Sequence, residues 1–197
     1  AAYAMIAYQT AYLKSNFPVE FFCALMNCDV NNFDKLSLYC NEIKKLGFEV
    51  LKPDINHSNV NFEVNYNEKN KPISINFGLS AIKNIGGLSI CELVNERKKN
   101  GKFKNFSELL KRVSNNVLNK KVLEALIFSN ALKSVEDNQK FLFENIDKII
   151  AYNSNFHKNL CENQTNLFPE YDDLEKHLNH NYILQSLLYM FRIQTVY

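Results

Sequence analysis

The sequence predicts a mainly α-helical chain with one small β-hairpin, in which a helical amino-terminal segment precedes a tandem helix-hairpin-helix domain. Three observations lead there. Apolar residues recur at three- and four-residue spacing over most of the chain, strict alternation is confined to residues 60–77, and three of the five glycines fall within FGLSAIKNIGG at residues 77–87. With 197 residues, 46% of them hydrophobic, the chain can bury a core of its own.

The opening AAYAMIAYQTAYLKSNFPVEFFCALMNCDV sets Ala4, Ala7 and Ala11 at i, i+3 and i+7, a stripe that lets a first helix approach a neighbour closely. Pro18 opens a second helix at its first turn, with Asn16 as the capping candidate. A third helix covers residues 32–46, with Leu36, Tyr39, Cys40 and Ile43 as its buried stripe and Gly47 as its stop. Beyond Lys52-Pro53, Val60, Phe62, Val64 and Tyr66 alternate with polar residues, as do Ile73, Ile75 and Phe77 across a turn-rich connection; this predicts the β-hairpin.

Leu79, Ile82 and Ile85 are then spaced as one or two helical turns that stop at Gly86-Gly87, and Leu88, Ile90, Leu93 and Val94 begin another helix at once. Phe106, Leu109, Leu110 and Val113 define the next, Leu118, Val122 and Leu126 the one after. A last helix carrying Leu142, Ile146, Ile149 and Ile150 follows a break at Ser129-Asn130-Ala131. AIKNIGGLSICEL and LIFSNALKSVEDN share an order of helix end, small or Asn residues, apolar residue, helix, so the chain holds two hairpins of one type, the second degenerate. Residues 153–180 are Asn-rich and acidic with little periodicity and read as a linker.

Composition narrows the function. No apolar run approaches the roughly 18 residues of a membrane span, and the first residue is Ala with no charged signal region after it, so a cytoplasmic piece of a longer protein is expected. The five cysteines form an odd set without a C-x-x-C pair, as in a reduced compartment. His177 and His180 stand at H-x-x-H spacing with no Cys near them, so no zinc site is expected. Net charge is only +2, but it is unevenly spread: residues 1–82 carry 7 basic and 8 acidic groups, residues 83–133 carry 11 and 4, and residues 134–180 carry 4 and 9. A basic centre between neutral and acidic flanks points to a polyanion, the other reading being a solvated lysine face.

The glycine turn supplies the chemistry. Glycine reaches positive φ without a Cβ clash and Asn is the next most tolerant residue, so Asn84-Ile85-Gly86-Gly87 turns the chain sharply while Ile85 plugs into the core. A turn of this kind at a helix N-terminus presents several unpaired N–H groups together, a phosphate seat that needs no side-chain charge. Asn84 stands where the usual G-h-G begins, and the second copy offers only Asn130. The DNA-binding candidates are Lys83, Asn84, Ile85, Gly86, Gly87, Lys98, Lys99, Lys102 and Asn130, with Arg97 and Lys104 adding charge. Contacts to phosphates carry no sequence information, so binding should be sequence-independent and salt-sensitive. A plain tight turn between two helices is the competing reading.

Four separated blocks, AAYAMIAYQTAYLKSNFPVEFFCALM, EIKKLGFEVLKPDIN, INFGLSAIKNIG and LNKKVLEALIFSNAL, resemble the alpha subunit of bacterial DNA polymerase III in order and spacing, over residues 1–168. The resemblance implies that residues 1–55 end a helical fingers domain, that 56–78 form a connecting β-hairpin, and that 79–152 are a tandem helix-hairpin-helix domain gripping duplex DNA. It further implies that residues 153–180 are an acidic linker in which Gln164, Leu167 and Phe168 of QTNLF bind the sliding clamp. Residues 181–197 match nothing in that family and are left as an unassigned terminal helix. Polymerisation needs paired carboxylates holding Mg²⁺; no D-x-D occurs, and Asp is absent between Asp54 and Asp137. No catalytic residue, metal site or cofactor is therefore expected here, the aspartates and Mg²⁺ belonging to the remainder of a replicative DNA-directed DNA polymerase. The implied partners are double-stranded DNA, the sliding clamp and the rest of the holoenzyme, with no membrane. The alternatives are a non-catalytic DNA-binding scaffold and a DNA glycosylase; the Asp-free interval after Gly87 counts against the glycosylase.

Overall fold

The computed structural model describes residues 2–162. Helices α1 (Ala2–Asn16), α2 (Pro18–Cys28) and α3 (Phe33–Lys45) precede a sheet of β1 (Glu49–Val50), β2 (Glu63–Tyr66) and β3 (Pro72–Asn76). One 3₁₀ turn at Leu79–Ala81 then leads into α4 (Gly87–Asn100), α5 (Phe106–Arg112), α6 (Lys120–Phe128), α7 (Gln139–Glu144) and α8 (Ile146–Glu162).

Apolar burial falls into two cores. The first sets Val19, Phe22, Cys23 and Met26 of α2 with Leu36 and Ile43 of α3 against Phe62 and Ile75 of the sheet side. Burial, with Glu63 and Glu20 nearby, pushes the Cys23 thiol up to about 11, which makes it a packing residue. The second core runs from Ile55 and Leu79 through Ile90, Leu93, Leu109, Leu123 and Leu126 to Ile149. Phe77 packs on both.

In the amino-terminal part α3 follows its sequence pattern: Leu36 and Ile43 are buried, Tyr39 and Cys40 half-buried, and Gly47 stops the helix at φ +85°. The alanine stripe of α1 does not do what its spacing predicts, because Ala4, Ala7 and Ala11 are all exposed. Asn16 does not cap α2 either. Phe17 holds that position without a side-chain bond, and Asn16 Nδ2 turns back to donate to the Tyr12 carbonyl at 2.9 Å. In the sheet, β2 and β3 form the expected antiparallel hairpin, and β1 joins the other edge of β3 in parallel, Glu49 facing Ser74. Two residues give no periodicity, so β1 carries no sequence signal.

Residues 54–59 form the joint between the two parts. Asn56 exchanges two hydrogen bonds with the Phe103 backbone, Nδ2 donating at 2.9 Å and Oδ1 accepting at 2.8 Å, and the Ile55 N–H donates to the Ala131 carbonyl at 2.8 Å. Arg97 on α4 closes the joint: Nη1 donates to the Ile55 and Ser58 carbonyls at 2.7 and 2.6 Å, and Nη2 to Asn59 Oδ1 at 2.8 Å. Only 8% exposed, Arg97 is thus a buried structural residue and not one of the surface cations with which the sequence groups it. Protein acceptors replace the water that the guanidinium gives up. Burial lowers its pKa, and the charges of Asp54 and Glu63 oppose that shift.

The segment read as a linker from residue 153 is helical as far as Glu162, within α8. The docking is polar. Buried Asn153 donates from Nδ2 to the Leu110 and Val113 carbonyls at 3.2 and 3.0 Å, and His157 Nε2 lies 3.1 and 3.2 Å from the same two oxygens, so an i, i+4 pair closes the open end of α5. Asparagine is used repeatedly in this way: Asn32, Asn105, Asn119 and Asn138 cap α3, α5, α6 and α7, each accepting an N–H from three residues on.

Candidate nucleic-acid interface

The hairpin is launched from a fixed point. A Cβ on Gly78 would stand 2.7 Å from the Asn61 carbonyl carbon and the Phe62 nitrogen, so only glycine permits the chain to pass there. The Leu79 and Ser80 N–H groups donate to the Asn59 and Val60 carbonyls, which diverts the expected helix into a single 3₁₀ turn. Ala81 and Ile82 are buried, Lys83 and Asn84 emerge into solvent, and half-buried Ile85 packs on the larger core as its plug.

The left-handed residue of the turn is Asn84, at φ +69°. Gly86 is extended, at φ −72° and ψ 136°, as the N-cap of α4, and Gly87 is the first helical residue. This corrects the expectation that the glycines supply positive φ. Nor does packing require them: a Cβ on Gly86 would meet nothing nearer than Ser89 Oγ at 4.0 Å, and one on Gly87 nothing within 4 Å. Their missing side chains leave an opening on the outside of the protein. Directly behind it α4 has no side-chain cap and no acid in its first turn, and the N–H groups of Gly87, Leu88 and Ser89 have no intrahelical acceptor.

Lys83 and Asn84 form one wall of a groove of about 740 Å³ whose other wall is α6, contributing Lys121, Glu124, Ala125 and Phe128. Lys121 is a candidate that sequence reasoning missed. Its signal was present, since 121, 124, 125 and 128 follow helical spacing around a residue too polar to be core. The remaining sequence candidates are not gathered here. Lys98 and Lys99 sit at the far end of α4, about 16 Å along the helix from Gly87, and Lys102 Nζ lies 2.7 Å from His57 Nε2. Lys104 is exposed beyond the end of α4.

The second hairpin keeps the turn and loses the opening. Asn130 takes φ +57°, with the Asn130 N–H bonded to the Ile127 carbonyl and the Ala131 N–H to that of Leu126, a left-handed helix stop. Ala131 and Leu132 then go fully into the core, and the following helix, α7, has its own side-chain cap in Asn138. Asn130 opens onto a different groove, of about 640 Å³, where Lys52 and Lys133 are outnumbered by Asp54, Glu136 and Asp137. Arg112, another cation of the basic segment, is engaged within the protein: it pairs with Glu96 and Glu108 at 3.1 and 3.0 Å and lies 4.4 Å over the Phe103 ring. Among the described residues no group of three or more His, Cys, Asp or Glu is placed to hold a metal, and no helix is long and apolar enough to cross a membrane. Gln164, Leu167, Phe168 and residues 181–197 lie outside the described residues.

A family model described as a helix-hairpin-helix motif matches residues 47–142. DNA polymerase III subunit alpha of Borreliella burgdorferi is 45% identical over 168 residues, 85% of this chain and 14% of the relative. The subunit of Thermus aquaticus is 39% identical over 142 residues, 72% of this chain and 11% of its own. That of Buchnera aphidicola is 32% identical over 203 residues, covering 94% and 17%. The chain therefore corresponds to a segment of about one-seventh of these relatives.

Proposed function

From its place as one segment of the DNA polymerase III alpha subunit family, we propose that this chain is the part of a replicative polymerase that holds duplex DNA behind the site of synthesis and docks on the sliding clamp. One observation carries the duplex reading. Gly86 and Gly87 lack side chains that the fold has ample room for, at the start of a helix that has no side-chain cap, no acid in its first turn and no intrahelical acceptor for its first N–H groups. A phosphate oxygen can approach that backbone closely, accept those N–H groups and lie at the positive end of α4, with Lys83 adjacent. Residues 79–152 act as the gripping unit, and residues 1–55 as the end of the fingers.

Such contacts are sequence-blind, so a dissociation constant on the order of 10⁻⁴ to 10⁻⁶ M is expected for duplexes of any sequence, weakening steeply with salt. Fluorescence anisotropy with two unrelated duplexes at several salt concentrations tests this; a strong preference for one sequence, or an affinity indifferent to salt, would contradict it. Clamp docking rests on QTNLF, where Leu167 and Phe168 would bury in an apolar pocket and Gln164 bond at its edge. Replacing both apolar residues by Ala should remove micromolar clamp binding and leave duplex binding intact. Nucleotidyl transfer belongs to carboxylates and Mg²⁺ elsewhere in the polymerase, and primer extension by this chain alone would refute that assignment.

A further inference from the structure

The groove beside the first hairpin has a feature that phosphate contacts leave unexplained. Phe128, on the last turn of α6, is 70% exposed on the groove wall, and Phe143 of α7, 47% exposed, packs against it with ring centroids 5.1 Å apart. Two large aromatic side chains held together in water cost hydrophobic free energy that a contact partner would recover. Lys83 and Lys121 stand on opposite walls of the same groove, with Glu124 as its one carboxylate. Cationic walls with an apolar lip match a polymer that alternates charged and apolar units.

We propose that this groove seats one sugar-phosphate strand of the duplex, Lys121 and Lys83 on successive phosphates and the Phe128–Phe143 pair against the deoxyribose between them. The inference rests on the duplex-holding reading, because Lys83 and Asn84, which line the groove, belong to the same turn that leads into Gly86 and the start of α4. An acidic peptide bearing an aromatic residue is the other occupant the chemistry would suit. The shared turn favours DNA, because Lys83 and Asn84 lead within three residues to the helix start proposed as the phosphate seat.

The test is anisotropy with a labelled duplex and the full chain, at four or more salt concentrations. Phe128→Ala should weaken binding roughly 5- to 10-fold at every salt concentration without changing the salt slope, since an apolar contact releases no counterion. Lys121→Gln should weaken it most at low salt and reduce the slope by about 0.9, the value for one phosphate, and Lys121→Arg should restore both. Phe128 is exposed, so unchanged thermal melting is expected and is measured for each variant. If Gly86→Val abolishes binding while Phe128→Ala and Lys121→Gln stay within twofold of the parent, the groove proposal is overturned and the hairpin reading stands. If the parent chain binds no duplex, both fall. Capture of an acidic aromatic peptide by the parent, lost in Phe128→Ala while duplex binding persists, would assign the groove to a protein and also overturn the proposal.

Discussion

Asn84 and Asn130 adopt nearly the same left-handed backbone, at φ +69° and +57°, yet the residues after them differ in kind. Beyond Asn84 the chain offers one plug, Ile85, then two exposed glycines and a 14-residue helix with an uncapped start. Beyond Asn130 it offers Ala131 and Leu132, both wholly buried, a run of turns, and a six-residue helix that already has its Asn cap. The turn itself needs only the left-handed residue. Its downstream neighbours decide whether the chain after the turn stays at the surface or enters the core, and the fold makes no packing use of the glycines at 86 and 87.

Four measurements break or sharpen this contrast. Leu132→Ala should have the largest effect, a loss of about 2 to 5 kcal/mol in urea unfolding, as for a buried leucine whose cavity cannot collapse. Duplex affinity per folded molecule should stay within a few-fold of the parent. A stable variant that no longer bound DNA would mean the second hairpin is also an interface. Gly86→Val should do the converse, lowering duplex affinity at least tenfold while stability changes by less than about 1 kcal/mol, the scale of an N-cap substitution. Unaltered binding by that folded variant would remove the basis for the phosphate seat.

Asn84→Ala and Asn130→Ala test what the hairpins share. Each should cost about 1 to 2 kcal/mol by forcing an ordinary side chain into the left-handed region, and the matching Asn→Gly variants should recover most of it. The smallest effect is a control remote from both hairpins. Lys35 at 2.8 Å and the Tyr39 hydroxyl at 2.7 Å hydrogen-bond the Asp29 carboxylate and hold its pKa below the ordinary aspartate value. A depressed carboxylate adds stability above its unfolded-state pKa and loses it as the pH falls through the lower, folded-state value. Asp29→Asn should therefore flatten the acid limb of the stability profile slightly, because its partner Lys35 is exposed and the pair is screened by solvent, and leave duplex binding unchanged.

The helices and the β-hairpin were legible because each presents a period, and Leu36, Ile43, Leu109 and Leu126 landed in cores where their spacing put them. Three things were not legible, each for a physical reason. Period says nothing about a pair such as Asn153 and His157, which docks the second half of α8 by hydrogen bonds, so residues 153–162 looked like linker. Charge counts do not separate a solvated lysine from Arg97, whose acceptors come from a distant, earlier part of the chain. The glycine pair promised positive φ, which Asn84 takes instead, and the vacant space outside its backbone has no signature in a sequence.

Arg97 also has a mechanical meaning. Its guanidinium pins residues 55, 58 and 59, and the strand running on from them reaches Phe62 in the other core within three residues. A load applied to α4 is thus handed across a short, buried rivet towards α2 and α3. If DNA pulls on the hairpin, the amino-terminal helices should turn with it as a lever turns about its fulcrum, and the angle between the two cores becomes a stiffness set by Arg97 together with Asn56 and the Ile55–Ala131 bond.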